Sequence, residues 1–276
     1  MSNIKVILFN PRSAESKHRI PNSILQVGAS IYGKYEFVFV DGNLERDPWA
    51  KIKSYLETGE FKYFGTTCMP GPQLRQAIPF SKYCREQFPE VTNIWGGYFA
   101  SNQNKVVLES GFVDYVINGP GDTAFPALLD ALEAGAPQEE IQKIKNLILL
   151  KDGKPWKTAK EALLNQDELP QLPYDFLEQF YPIKEYLGRT FMGSKTLAYH
   201  SSFGCPFTCS FCAVVPIYNA RWKGKSAENI YRDVKYLKDK YGVNAIEFHD
   251  NNLFTSRKRT VEFAKLVKDD GIQWWG

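Results

Sequence analysis

The stretch Ile4-Lys-Val-Ile-Leu-Phe9 is an almost continuous apolar run, and Asn10-Pro11 ends it. A short run of this kind, without polar alternation, is typical of a strand that is buried on both faces of a parallel sheet. Apolar residues then recur at helical spacing between Pro21 and Tyr32. The opening of the chain therefore predicts one βα unit.

The same alternation continues through residues 1–135. We predict further strands at 37–40, 62–67, 91–95 and 114–118, and further helices at 48–57, 73–88, 104–110 and 124–134. Each right-handed crossover must place a helix on a face of the sheet, so this order predicts a doubly wound, Rossmann-like parallel sheet. The predicted fold class is α/β.

The segments that follow these strands are rich in glycine. They are Asn10-Pro11, Asp41-Gly-Asn43, Thr66 to Gly71, Gly96-Gly-Tyr98 and Gly119 to Asp122. Open α/β sheets bind ligands at the carboxyl ends of their strands, and glycine there lets the backbone approach a large flat or phosphate-bearing molecule. Tight βα turns would explain the same glycines, so the pattern alone leaves both interpretations open.

The composition is that of an ordinary globular protein. Of the 276 residues, 43% are hydrophobic and 24% are charged, which excludes a disordered or fibrous chain. The net charge of +3 is too small to predict nucleic-acid binding. No stretch approaches the roughly 20 apolar residues of a membrane span, and no signal peptide is recognisable. We therefore predict a cytoplasmic protein without a membrane span. Charge does not decide the partner; the partner we predict is a small molecule, without nucleic acid.

Three of the five cysteines, Cys205, Cys209 and Cys212, lie within eight residues of each other. A disulfide framework does not need this spacing, whereas three thiolates on one loop suit a four-iron four-sulfur cluster with one iron unligated by protein. A structural zinc site would need a fourth ligand, for which His200 is the nearby candidate. Cys68 and Cys84 are interpreted as small hydrophobic residues.

The spacing Cys-x-x-x-Cys-x-Phe-Cys resembles the signature of the radical SAM enzymes. The resemblance implies that Cys205, Cys209 and Cys212 bind three irons and that S-adenosylmethionine chelates the fourth. Reductive cleavage of S-adenosylmethionine then yields a 5′-deoxyadenosyl radical.

The segments after the cysteines resemble the start of that family's partial (β/α) barrel. A helix is predicted after Ser226, a strand at 245–249, a helix at 257–268 and a strand at 272–275. The resemblance makes Phe211, Asp250 and Asn251 candidate residues for binding S-adenosylmethionine. Alternatively, the polar residues after strand 245–249 cap the next helix and do not bind S-adenosylmethionine.

The motifs Asp-Gly-Asn, Gly-Thr-Thr, Trp-Gly-Gly and Gly-x-Gly-Asp, in this order, resemble the cobalamin-binding domain of cobalamin-dependent radical SAM enzymes. The cobalamin-binding residues that the resemblance implies are Thr66, Thr67, Gly71, Gly96, Gly97, Tyr98, Gly119 and Gly121.

One position departs from the usual cobalamin pattern. Many cobalamin domains carry Asp-x-His-x-x-Gly, whose histidine ligates cobalt, and the corresponding window here contains Asn43 and no histidine. The resemblance then implies a cobalamin whose lower face lacks a histidine ligand. The alternative is a domain that has lost cobalamin and serves as a scaffold or substrate platform.

Residues 136–190 interrupt the alternation. The run 147–150 followed by Asp152-Gly153 predicts a small hairpin, and the proline- and aromatic-rich stretch 169–176 favours a stiff linker. We therefore predict a linker between a cobalamin-binding-like domain, 1–135, and a radical SAM core, 191–276. That core usually contains further βα units, so we expect a fragment or a chain completed by a partner.

The resemblance implies a radical SAM enzyme that uses the cluster, S-adenosylmethionine and cobalamin for methyl transfer to an unactivated carbon. It also implies an electron donor such as a flavodoxin or ferredoxin. Radical cyclisation or rearrangement is the alternative reaction. A non-catalytic iron–sulfur or cobalamin-binding protein, or an inactive fragment, is the alternative class.

Overall fold

The computed structural model describes residues 5–16 and 18–276, and within them the chain divides into two compact units. The first unit comprises the described residues up to Glu15, Ser23–Glu161 and Pro170–Phe180. The second comprises the described part of 16–22, Ala162–Leu169 and Tyr181–Gly276.

The first unit is built on a sheet of seven strands within the described residues. These are β1 (Lys5–Asn10), β2 (Glu36–Asp41), β3 (Phe61–Thr67), β4 (Thr92–Gly96), β5 (Tyr115–Ile117), β6 (Leu147–Lys151) and β7 (Lys154–Lys157). Their order is β2-β1-β3-β4-β5-β6-β7, with β1 to β5 parallel and β6 and β7 antiparallel.

Within the described residues up to Glu178, the helices are α1 (Asn22–Ile31), α2 (Pro48–Leu56), α3 (Leu74–Gln87), α4 (Gly97–Asn102), α5 (Asn104–Glu109), α6 (Ala124–Glu133), α7 (Gln138–Ile141) and α8 (Tyr174–Glu178). Five of them, namely α1, α2, α3, α5 and α6, match the predicted alternation, whereas α4, α7 and α8 were not predicted. Among the helices of the described residues, none combines the length and the hydropathy that a membrane span requires.

The sheet has a core on both faces, as the apolar run in β1 predicted. Ile7 and Leu8 are both buried, although successive side chains of a strand point to opposite faces. On one face, Phe9 stacks on Phe64 and Phe80 with ring centroids 5.9 and 5.3 Å apart. The parallel sheet is therefore enclosed, and its carboxyl edge is where the loops can meet a ligand.

The predicted α/β fold class is confirmed, with local differences. Ile4, predicted to begin the first strand, lies outside the described residues. Helix α4 was missed because its first residue, Gly97, has a φ of +89° and belongs to a glycine pair that is typical of a turn.

The hairpin predicted after residue 147 forms, and it extends the first sheet because β6 pairs antiparallel with β5. Part of the segment predicted as a linker also packs on this unit. Phe176 of α8 contacts Phe37 and Phe39, with ring centroids 4.8 and 5.8 Å away.

The second unit contains two small sheets in its described residues. Strands β8 (Thr196–Tyr199), β11 (Ala245–Phe248) and β12 (Gln273–Trp275) are parallel in the order β12-β11-β8, and β9 (Ser202–Gly204) pairs antiparallel with β10 (Trp222–Gly224). Its helices are α9 (Val215–Tyr218), α10 (Ala227–Tyr241) and α11 (Arg257–Val267), with 3₁₀ turns at Ile183–Tyr186 and Leu253–Thr255.

Local sequence signals account for the two long helices of this unit. The hydroxyl of Ser226 accepts a hydrogen bond from Asn229 N at the start of α10, and Gly242 ends that helix with a φ of +70°. Ser256 caps α11 in the same way by accepting from Arg259 N. These caps fix the residues at which α10 and α11 begin.

Candidate functional site

The cysteine loop, Cys205–Cys212, leaves β9 and enters α9. Cys209 is exposed, Cys205 and Cys212 are partly exposed, and Phe207 and Phe211 on the same loop are 59% and 90% exposed. Cys212 N donates to Cys209 O at 3.1 Å, which forms a turn between the second and third thiols. The three predicted cluster ligands therefore lie on one short, accessible loop.

The thiols do not yet form a metal site. Within the described ranges, no three side chains of His, Cys, Asp or Glu converge as a bound metal requires. The donor set still fits an iron–sulfur cluster, because three soft thiols on one exposed loop are its ordinary protein ligands. Cluster assembly would have to draw the thiols together.

Asp250 follows β11, and its side chain is fully buried. Oδ1 accepts from Ser201 N at 2.7 Å, and Oδ2 accepts from the hydroxyls of Ser201 and Ser202 at 2.6 and 2.5 Å. Both oxygens of Asp250 thus accept from internal donors, and its contact with S-adenosylmethionine stays a prediction. Asn251, the next residue, is partly exposed.

A polar cluster that the sequence analysis did not assemble lies on one face of the three-stranded sheet. Phe248 packs on Phe263 of α11, so Glu247, its neighbour in β11, points to the face away from that helix. There, Glu247 Oε2 lies 2.7 Å from Arg19 Nη2, and Oε1 lies 3.4 Å from His249 Nε2.

His200 joins this cluster from the end of β8. Its ring meets that of His249 edge to face, with centroids 5.9 Å apart. Burial lowers the pKa of His200 to about 4; the charge of Asp250 opposes the shift, and His249 adds to it. The strand ends of the second unit thus present a neutral imidazole beside a carboxylate and a guanidinium.

The predicted cobalamin-binding residues lie at three neighbouring strand ends of the first sheet. Thr66 and Thr67 end β3 and Gly71 follows it, Gly96 ends β4 and Gly97 and Tyr98 begin α4, and Gly119 and Gly121 follow β5. Because β3, β4 and β5 are adjacent, the sheet brings these loops to one edge.

Two of these positions differ in what their surroundings require. A Cβ on Gly97 would lie 2.7 Å from Cys68 O, so only glycine fits this close approach of two backbones. Thr66 Oγ1 is buried and has no hydrogen-bond partner among the described residues. A buried hydroxyl without a partner costs free energy unless a ligand or water completes it.

Asn43 occupies the position where many cobalamin domains have a histidine, and its side chain is used internally. Its Oδ1 accepts from Ser13 N at 2.8 Å, and its Nδ2 donates to Asp41 Oδ1 at 2.9 Å. Asn10 Nδ2 donates to the same Asp41 oxygen at 2.9 Å. Asn43 therefore fastens the loops after β1 and β2, and it is not directed toward a ligand.

Gln73, at the start of α3, extends this network, and the sequence did not predict its contacts. Its Nε2 donates to Asn10 Oδ1 and Pro11 O, and its Oε1 accepts from Met69 N at 2.7 Å. The buried amide thus joins the loop after β3 to the loop after β1. An isolated glutamine beside a helix start carries no pattern from which this contact could be predicted.

No family model matches the chain. An uncharacterized methyltransferase of Pyrococcus horikoshii is 24% identical over 280 residues, which cover 99% of this chain and 59% of the relative. Among solved structures, the cobalamin-dependent S-adenosylmethionine radical enzyme OxsB with aqua-cobalamin bound superposes with a TM-score of 0.78, at 15% identity, over 98% of this chain and 38% of OxsB.

A second solved structure agrees. The radical S-adenosylmethionine methyltransferase TsrM from Kitasatospora setae, with cobalamin and a 4Fe-4S cluster bound, has a TM-score of 0.67 at 16% identity, over 98% of this chain and 51% of TsrM. The chain has the fold of the cobalamin-dependent radical SAM enzymes. Both halves of the sequence resemblance are thus confirmed at the level of the fold.

Within the cobalamin-dependent radical SAM fold, β1 to β5 form the Rossmann-like sheet, and β8, β11 and β12 form parallel strands of the partial barrel. The chain spans 59% of the curated relative and 38% and 51% of the two solved enzymes.

Proposed function

We propose that the chain is part of a radical SAM enzyme that uses a four-iron four-sulfur cluster, S-adenosylmethionine and cobalamin to methylate an unactivated carbon. The observation that carries the proposal is the cysteine loop, which follows β9 shortly after the carboxyl end of the parallel strand β8, in a chain with the fold of the cobalamin-dependent radical SAM enzymes. The name of the relative from Pyrococcus horikoshii supports a methyltransferase.

The second unit would hold the cluster and S-adenosylmethionine. Cys205, Cys209 and Cys212 would ligate three irons, and Asn251 and Phe211 would contact S-adenosylmethionine. Asp250 would act as a positioning residue, because its buried carboxylate binds the backbone and hydroxyls before the cysteine loop. When bound, the cluster and S-adenosylmethionine would supply a radical that abstracts hydrogen, and cobalamin would supply the methyl group.

The first unit would hold cobalamin with the backbone at Gly71, Gly97 and Gly119 and with the unpartnered hydroxyl of Thr66. Asn43 would supply no ligand to the cofactor, because its amide side chain already bonds Ser13 and Asp41. The substrate would meet the polar cluster of Glu247, His249 and His200. The flavodoxin- or ferredoxin-like electron donor, the cytoplasmic location and the absence of a nucleic-acid partner stay predictions.

The test is anaerobic reconstitution of the chain with iron, sulfide and cobalamin, followed by electron paramagnetic resonance of the reduced protein. A cluster signal that changes when S-adenosylmethionine is added would support coordination at the open iron. A signal that does not change would favour the non-catalytic alternative. Cobalamin retained after gel filtration, seen by its visible absorption, would support the role of the first unit.

A further inference from the structure

The segment before the cysteine loop and the segment after β11 are joined through one buried ion pair. Arg259 Nη2 lies 3.7 Å from Asp250 Oδ2, and both side chains are almost completely buried. Asp250 also accepts from Ser201 and Ser202, which immediately precede and begin β9. A buried pair of this kind persists when further hydrogen bonds satisfy it, as they do here.

Arg259 adds a second set of contacts to the same two segments. Its Nη1 donates to Ser201 O at 3.1 Å, and its Nη2 donates to Leu253 O at 2.8 Å. Its guanidinium also lies over the ring of Trp222, 5.0 Å from the centroid. Since Trp222 pairs with Gly204 in the β9–β10 ladder, the backbone is held up to the residue before Cys205.

One consequence is the position of Asn252. It lies between Asp250 and Leu253, which are both held by Arg259, and its carbonyl accepts from the hydroxyl of Thr255 at 3.1 Å. Its Nδ2 is directed at Cys205 Sγ at a distance of 3.9 Å. The amide of Asn252 and the sulfur of Cys205 thus lie on two segments that are both bound by the buried side chain of Arg259.

The chemistry of this contact differs from that of a cluster ligand. An amide cannot replace a thiolate, but a hydrogen bond to a ligating sulfur stabilises negative charge on the cluster. The reduced cluster carries one more negative charge than the oxidised cluster, so the donor favours reduction. Removing the donor should therefore lower the reduction potential.

We infer that Asn252 is a positioning residue that donates a hydrogen bond to the sulfur of Cys205 and raises the reduction potential of the cluster. The inference rests on the proposed function, because it requires that Cys205 ligates the cluster. It extends the proposal to Asn252, whose role is to contact the sulfur of Cys205 and not S-adenosylmethionine or substrate.

The test compares Asn252→Ala with Asn252→Gln and with Asn244→Ala in the full chain, reconstituted anaerobically without S-adenosylmethionine or cobalamin. Asn252→Gln keeps an amide donor. Asn244 precedes β11 at the opposite end of the strand, where its side chain bonds Lys195 N and Ser194 Oγ, so its removal is the matched control. Iron and sulfide content and a redox titration followed by electron paramagnetic resonance are measured for each.

We expect Asn252→Ala to lower the equilibrium constant for reduction about tenfold, a shift of about 59 mV for a one-electron couple. Asn252→Gln should recover most of that shift, and Asn244→Ala should titrate like the wild type. If Asn252→Ala fails to retain iron while Asn252→Gln retains it, the donor role is also supported, because the amide is what the two variants do not share.

Two results would overturn the inference while leaving the proposed function in place. One is an intact cluster in Asn252→Ala with the wild-type potential; the other is loss of iron from both Asn252 variants, which would indicate a need for asparagine's shape and not for its donor. A wild-type chain that takes up no cluster would overturn the proposed function itself.

Discussion

The carboxyl edges of the two parallel sheets are organised differently. At the seven-stranded sheet, Asn10, Asp41, Asn43 and Gln73 are buried and bond one another or the loop backbones. At the three-stranded sheet, the ends of the strands are held by Asp250, while the cysteine loop beyond them is accessible. The loops of the first edge are held by their own side chains and leave the hydroxyl of Thr66 without a partner, whereas internal contacts at the second edge hold the backbone only up to the residue before Cys205.

The physical reason lies in what each edge would bind. A cofactor held by backbone and shape needs loops that already have their bound form, because ordering them on binding would cost affinity. A cluster forms bonds strong enough to order its own ligand loop, so metal binding and local folding are coupled. The comparison predicts that substitutions at the first edge act mainly on stability and that substitutions in the cysteine loop act on cofactor content.

The largest expected effect separates the loop cysteines from the buried ones. Replacing Cys205, Cys209 or Cys212 with Ala should abolish stable cluster assembly, measured as iron and sulfide per chain after desalting. Cys68→Ala and Cys84→Ala should retain iron, because burial raises the pKa of each of these thiols to about 12 and keeps them protonated. Substantial iron loss from either control would contradict the ligand assignment.

The first edge should lose stability when its central carboxylate is removed. Asp41→Ala leaves the buried amides of Asn10 and Asn43 without their acceptor, and we expect a loss of about 3 kcal/mol in the free energy of unfolding. Asp47→Ala, which removes an exposed helix cap at Ala50 N, should cost only about 1 kcal/mol. Urea unfolding measures both, and equal losses would contradict a preformed first edge.

The second edge should respond to acid through His200. Its pKa is about 4 in the folded chain and 6.5 ordinarily, so the unfolded chain binds the proton more readily. The stability that neutral His200 contributes is then fully present above pH 6.5 and is lost as the pH falls toward 4. The expected decrease in the free energy of unfolding between pH 7 and pH 5 is about 2 kcal/mol. His249 and Asp250 are the charged groups that act on this imidazole, and both are retained in the wild type and in the control variant below.

Urea unfolding of the iron-free chain at pH 7 and pH 5 measures this loss, and His200→Gln is the control. The variant should show a smaller difference between the two pH values, because glutamine does not titrate. The same pH dependence in the variant and in the wild type would show that other groups are responsible.

The opposite pH dependence is expected of Asp122, which follows the Gly119 loop at the first edge. Burial raises the pKa of Asp122 to about 6, and a hydrogen bond from Gln26 Nε2 at 2.7 Å opposes that shift. The folded chain therefore holds the proton more tightly, and stability falls as the pH rises from about 4 to about 6. Asp122→Asn removes this titration, so the variant should be more stable than the wild type at pH 7 and differ little from it at pH 4, measured by urea unfolding. A loss at pH 7 would mean that a charged carboxylate stabilises this edge.

The order of elements could be predicted because buried parallel strands and amphipathic helices have different apolar periods. The cysteine loop could be located because three thiols at close spacing have few structural explanations. Asp250 could not be assigned in this way, since a polar residue after a strand looks the same whether it binds a ligand or, as here, Ser201 and Ser202.

The polar cluster shows where sequence reasoning reached its limit. Strand parity places Glu247 and His249 on one face, and this much was available from the sequence. Arg19 comes from a segment more than 200 residues earlier in the chain, and no local pattern pairs it with Glu247. The loop-fastening role of Asn43 was hidden for the same reason, because its partner Ser13 belongs to another loop.

Strand β7, at one end of the seven-stranded sheet, has the sequence Lys154-Pro-Trp-Lys157. Proline has no N–H to offer a further strand, and the two lysines bring like charges to any second copy that approaches. The hydrophobic strands β1, β3, β4 and β5 are all interior to the sheet. The sheet thus ends, on this side, in a strand that discourages edge-to-edge aggregation between chains.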